Sequence, residues 1–295
     1  MKFTNSKIDE EWFRVPLAAI LLFETAAFIA HSYFRMRLLN SGYDANVATH
    51  LSYFVVPLIL AVLMYPVLQK HGHRLLLLFR PQMLSVRVVV IGVGLGLVLR
   101  LAYWGGMIAM TAFGLLLVDS PAVSIGPQLS WQCPPVAHLF LGIFVMALSV
   151  PLIEESVFRG LILHRLSNHT PIFAILVSSL VFAIIHNVQT IFPAFVIGVY
   201  FAFATRNSCA LWISVCAHSS YNLATQFDWR CLNGQWIPSE VTQATVGVGT
   251  LATALLVVSL LLAALLVSKR LIGPPEQPDE SGAYLDNPLA TRSIT

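Results

Sequence analysis

The stretch SVPLIEESVFRG, residues 149–160, sets two adjacent acids, Glu154 and Glu155, at the end of a long apolar run. Read as a helix, it places Glu155 and Arg159 four apart, where they can pair along one face. Glu154 is turned about 100° from its neighbour and points elsewhere. One acid is then neutralised while the other stays free, and a free carboxylate in a dry setting is a candidate general base. The same residues could equally mark a membrane–water boundary, since ionisable groups are tolerated at helix ends. The segment alone leaves both readings open.

Outward from this stretch the chain is greasy. Of 295 residues 57% are hydrophobic and 11% charged, with a mean hydropathy of +0.77. Soluble domains carry about 25% charged residues, so the composition describes a membrane protein. A net charge of +3 is too small to argue for nucleic acid as a partner. The four cysteines show neither CxxC nor Cys/His finger spacing, which speaks against a structural zinc module. The first apolar run follows a mixed-charge segment (Lys2, Lys7, Asp9, Glu10, Glu11, Arg14) without a small-residue cleavage site after it, so an uncleaved first span is expected.

A membrane helix needs about 20 mostly apolar residues. By that measure the fold class is an all-α polytopic membrane protein with about eight transmembrane helices, near 15–34, 51–69, 87–117, 136–154, 171–187, 190–206, 209–226 and 244–267. The third run suits one tilted helix, and the fifth and sixth must form a tight hairpin. Four regions follow. Residues 1–135 hold three N-terminal spans and 136–230 a four-span core. An outer loop with the last span occupies 231–268, and 269–295 is a Pro-rich polar tail expected to be disordered. The loop after the second span holds Lys70, Arg74, Arg80 and Arg87, that from Asp119 to Pro135 holds no basic residue, and Lys269 and Arg270 follow the last span. Both termini are therefore expected in the cytoplasm, with Arg35 and Arg37 as the dissent. Cys133 and Cys231 then share the outer side, where they either pair as a disulfide or are two unrelated thiols. Cys209 and Cys216 read as packing residues.

Polar groups inside a bilayer are rare and usually functional. In the second half they are Glu154, Glu155, Arg159, His186, His218 and Asn222. His218 and Asn222, in CAHSSYN, are four apart and face one way on a helix. Phe182 precedes His186 by the same spacing in LVFAIIHN. The ordered set Glu154-Glu155-Ser-Val-Phe-Arg159, Phe182-Ala-Ile-Ile-His186 and His218-Ser-Ser-Tyr-Asn222 resembles that of the CAAX-processing and bacteriocin-processing intramembrane proteases, the CPBP or Abi family. The resemblance covers roughly 140–227. Three motifs in order are specific where any one would not be.

The resemblance implies a CAAX-protease-like helical core and peptide-bond hydrolysis inside the membrane. Carried over, Glu154 would activate a water, His186 would orient it, His218 and Asn222 would stabilise the oxyanion, and Glu155 with Arg159 would be the supporting pair. Zinc is left open, with Glu154, His186 and His218 as candidate ligands, since two histidines and a glutamate are zinc-site ligand types; metal-independent water activation is the slightly favoured scheme. The implied partners are the lipid bilayer and a membrane-anchored or prenylated peptide or protein substrate. The positive-inside topology and the lack of targeting signals suit a bacterial inner membrane, with an endomembrane location as the alternative. A non-catalytic membrane binding or immunity protein of the same family is the alternative. A secondary transporter ranks below it, because the polar residues cluster in one half without an inverted repeat. Glu24 and Arg100, both mid-span, are expected to serve packing, as a mutual ion pair or solvated in a cavity. The remaining histidines, including His31 and His164, read as interfacial.

Overall fold

The computed structural model describes residues 17–79, 84–118, 140–166, 169–186, 188–226, 246–268 and 271. Among these every regular element is helical. In chain order α1 is Leu17–Asn40, α2 Ala45–Leu78 and α3 Val86–Val118. Next come α4, Phe140–Arg165, then α5 Pro171–Ile184, α6 Ile191–Ser208, α7 Leu211–Gln226 and α8 Val246–Leu266. Each apolar run expected to span thus lies on a helix. Among the described residues five stretches are long and apolar enough to cross a bilayer: Leu17–Asn40, Val47–Pro66, Val86–Met110, Phe140–Arg165 and Gly249–Leu266. Eight helices are present, and the exact count of eight spans is not confirmed by length and composition among the described residues. Helix α5, with 14 residues, measures about 21 Å against a hydrocarbon core of about 30 Å. The third run is one helix of 33 residues, about 50 Å long, so it must tilt or protrude. Cys133, Cys231, Lys269, Arg270 and the tail lie outside the described residues.

Local chemistry sets the helix ends that matter for the site. Gly42, at φ +84°, closes α1 in the left-handed conformation glycine adopts without strain. There the Tyr43 N–H donates to the Leu38 carbonyl and the Gly42 N–H to Leu39, a hydrogen-bonded stop of the Schellman kind. Asp44 then caps α2 by accepting from the Val47 N–H at 3.3 Å. The result is a tight antiparallel α1–α2 hairpin. Thr170 caps α5 through the Phe173 N–H, with Pro171 at the first helical position, where a missing N–H costs nothing.

Helix α4 stands at the centre, touching α2, α5, α6 and α7, while α3 packs on α7 and α8. Gly92 and Gly96 let α3 approach α7 closely: a Cβ on Gly96 would run into the Ala217 carbonyl and the Ser220 hydroxyl. Ser220 secures this contact by donating to the Val93 carbonyl at 3.1 Å. The close approach braces α7 directly beside His218. Arg100, also on α3, lies over the rings of Tyr103, Trp104 and Tyr221 at 5.0–5.4 Å. Its cation is thus satisfied by aromatic faces on the α3–α7 side. Glu24 lies on α1 facing a cavity, so of the two readings for this pair the cavity describes the acid, and aromatic faces hold the arginine.

Candidate active site

Helix α4 is not a regular α-helix around its acids. Wide π-turns at Ile143–Ser149 and Ser156–Ile162 flank a single α segment, Val150–Glu155. Such turns are rare and concentrate at functional sites. In the first, the Val150 N–H bonds the Val145 carbonyl, five residues back. The next bond in that register would run from residue 151 to Met146, but Pro151 has no N–H to give. The Met146 carbonyl is instead met by the Asn222 side-chain amide at 2.8 Å. One sequence feature, a proline inside the span, thus creates the docking point that fixes the last residue of the third motif.

Glu155 and Arg159 are fully buried and paired, Arg159 Nη1 donating to Glu155 Oε1 at 3.1 Å. Arg159 Nη2 donates to the Gly198 carbonyl at 3.1 Å. The guanidinium also lies over Phe182 at 4.4 Å and Phe201 at 5.5 Å. The same Glu155 oxygen meets His218 Nδ1 at 2.9 Å. A carboxylate can only accept, so Nδ1 carries the proton and Nε2 is aimed away from Glu155. That Nε2 lies 3.8 Å from Glu154 Oε2. His218 therefore stands between the two acids, bonded to one and facing the other.

Glu154 has 19% of its side chain exposed where Glu155 has none. It opens into a cavity of about 470 Å³ whose wall also holds His186, Glu24, His31, Arg35 and Tyr53. His186 Nδ1 bonds the Phe182 carbonyl at 2.8 Å. A carbonyl accepts, so in the neutral ring Nε2 is left as an acceptor. Phe182 is the common support of the site. Its ring meets Arg159, His186 and His218, the histidine rings at 4.7 and 5.8 Å.

The structure thus gathers Glu154, Glu155, Arg159, His186 and His218 from α4, the turn just after α5, and α7, and ties Asn222 to α4 one turn beyond His218. The cavity is not bounded by the four-span core alone. Its far wall is α1 and α2. Sequence reading left Glu24, His31 and Tyr53 out of the site. Glu24 and His31 are seven apart, on one face of α1, and both are buried. His31 packs on the Tyr53 ring at 4.1 Å. That spacing was the available signal. His164, expected at an interface, bonds the Arg159 carbonyl at 2.7 Å.

Residues 136–224 match the family model described as type II CAAX prenyl endopeptidase Rce1-like. The motif resemblance and the family model agree: this segment is similar to a CAAX-type endopeptidase domain, which supports a hydrolase of the intramembrane protease kind, and its apolar helices are those of an integral membrane protein. No curated protein and no solved structure matches the chain.

Proposed function

We propose that the protein hydrolyses a peptide bond of a membrane-anchored or prenylated substrate, with Glu154 as general base. The observation that carries this reading is the division of labour between neighbouring acids. Glu155 is sealed against Arg159 and His218, while Glu154 opens into the cavity with His186. Glu154 takes a proton from a water oriented by His186. The hydroxide oxygen bonds to the scissile carbonyl carbon, and the carbonyl electrons move onto its oxygen. His218, carrying both ring protons, donates from Nε2 to that oxyanion while the Glu155 carboxylate at Nδ1 balances its charge. The Asn222 amide hydrogen not bound to Met146 is the second donor. Collapse of the intermediate breaks the C–N bond, and the proton held on Glu154 passes to the leaving amine.

Zinc fits this arrangement poorly. Among the described residues no three His, Cys, Asp or Glu side chains gather as a ligand set. With Nδ1 of His218 and of His186 engaged by Glu155 and the Phe182 carbonyl, Nε2 of each is the atom that would face a metal, and with Glu154 they form no ligand cluster among the described residues. No step is therefore routed through a metal. Lys70 and Arg74, beyond the apolar stretch Val47–Pro66, and Arg87 at the start of α3 support termini on the cytoplasmic side.

The test is cleavage of fluorogenic lipidated peptides by purified protein and by Glu154→Gln, each with and without chelator. The expected result is loss of about 10²–10⁴-fold in kcat for Glu154→Gln, with wild-type turnover unaffected by chelator. Turnover that survives Glu154→Gln removes the base. Loss with chelator and rescue by zinc replaces the scheme with a metal one.

A further inference from the structure

A second carboxyl faces the reacting one. Glu24 lies inside the first span, on α1, 7% exposed, with its Oε1 buried and without a hydrogen bond among the described residues. No cation pairs with it there. Arg100 is held by aromatic faces on the α3–α7 side, and Arg35 is eleven residues on, about 16 Å along the helix axis. A carboxyl left without partners in a membrane span is costly, and such groups face cavities and mark functional sites. Glu24 does face one. It lines the same cavity as Glu154 and His186, on the opposite wall and within electrostatic reach of Glu154. That space is about 470 Å³, room for one peptide segment between the two acids.

The reaction has a place for such a group. An amide nitrogen leaves only if it is protonated as the C–N bond breaks. In the scheme above that proton begins on Glu154, which took it from the attacking water. Water and leaving nitrogen occupy different positions around the tetrahedral carbon, so a carboxyl on one wall serves the first better than the second. His186 holds the water and His218 meets the oxyanion, which leaves the nitrogen without a donor of its own. Two carboxyls facing one dry cavity hold a single proton between them at less cost than two negative charges. One acid can then give while the other takes. His31, the other buried side chain on this face of α1 with an unpartnered nitrogen, lies seven residues beyond Glu24, about 10 Å along the axis.

We propose that Glu24 is a second catalytic acid: its carboxyl gives a proton to the leaving nitrogen as the C–N bond breaks, and takes in exchange the proton that Glu154 removed from the water. Glu24 thus starts and ends protonated, and Glu154 starts and ends ionised. The net transfer is one proton from water to amine, while the hydroxyl stays on the new carboxyl group. This role rests on the hydrolase reading above and deepens it. Glu24 lies outside residues 136–224, so none of the three motifs includes it.

The experiment uses two lipidated substrates with the same acyl part. In one the scissile bond is a peptide amide; in the other it is a nitrophenyl ester, whose phenolate leaves without a proton. Turnover of each, KM and the thermal midpoint are measured in detergent for wild type, Glu24→Gln, Glu24→Asp and Glu154→Gln. Glu24→Gln keeps size and polarity but removes the acid. Its expected loss of amide turnover is about 10²-fold or more with KM kept, while ester turnover stays within about threefold of wild type. Glu24→Asp, which keeps the acid, regains part of the amide turnover. Glu154→Gln loses both activities, because both need the activated water. The amide-to-ester ratio is independent of how much of a variant is folded, so a packing role for Glu24 would lower both turnovers together. Unchanged amide turnover in Glu24→Gln, or an equal loss with both substrates, overturns the second acid while Glu154-dependent hydrolysis stands. Amide cleavage that persists in Glu154→Gln, or none by wild type, overturns the hydrolase reading and the second acid with it.

Discussion

Two glutamates that are neighbours in the chain occupy opposite environments. Glu155 sits in a sealed cluster, fully buried, with Arg159 and His218 on the same oxygen. Glu154 lies on the open side, partly exposed, with its Oε2 buried and without a hydrogen bond among the described residues, 3.8 Å from His218 Nε2. The comparison teaches that a charge buried in a membrane protein can be structural or reactive according to what surrounds it. The sealed side spends its charge on holding α4, α6 and α7 together through Glu155, Arg159, the Gly198 carbonyl and His218. The open side keeps a carboxylate available to water and substrate.

The sharpest way to break the sealed side is Arg159→Leu. It leaves the Glu155 carboxylate buried with one partner gone, a loss of about 3–5 kcal/mol for a broken buried pair. The expected outcome is a large drop in the thermal unfolding midpoint in detergent, with activity lost only because folded protein is lost. A midpoint within a degree or two of wild type would show that Arg159 is not structural. A gentler probe is Gly198→Ala. Its Cβ would meet Phe182 and Ser179 at 3.2 Å and Arg159 Nη2 at 3.3 Å, tight contacts that the guanidinium must yield to. The expected cost is about 1 kcal/mol, read as a modest midpoint shift with turnover reduced less than threefold. A loss of turnover without a stability change would mean that the sealed cluster reaches into the chemistry more directly than its burial suggests.

Much of the site was legible in the sequence because its signals are local. The i, i+4 spacing of Glu155 with Arg159, Phe182 with His186 and His218 with Asn222 marks shared helix faces without any tertiary knowledge. The split between paired and free acid follows from the 100° step between adjacent helical residues, and the structure has it so. What was hidden depends on contacts between distant segments. The bond from His218 to Glu155 joins residues 63 apart, and that from Asn222 to Met146 joins residues 76 apart. The second exists only because a π-turn and Pro151 together free a carbonyl, and π-turns leave no periodic trace. The α1–α2 wall was hidden for another reason. In a largely apolar composition the Glu24/His31 spacing is too sparse a polar stripe to tell cavity from lipid, which leaves an ion pair with Arg100 and solvation in a cavity both open for Glu24. Hydropathy alone does not settle the span count, since a run of apolar residues does not say how many of them one helix will use.

The central claim is that neighbouring acids divide structure from chemistry, and one paired measurement tests it. Glu154→Gln and Glu155→Gln are purified side by side, and the thermal midpoint and the turnover per folded molecule are recorded for each. The account predicts that Glu154→Gln keeps the wild-type midpoint and loses turnover by about 10²–10⁴-fold, whereas Glu155→Gln loses several kcal/mol of stability. Equal effects of the two substitutions on both readouts, or the reverse assignment, would contradict it.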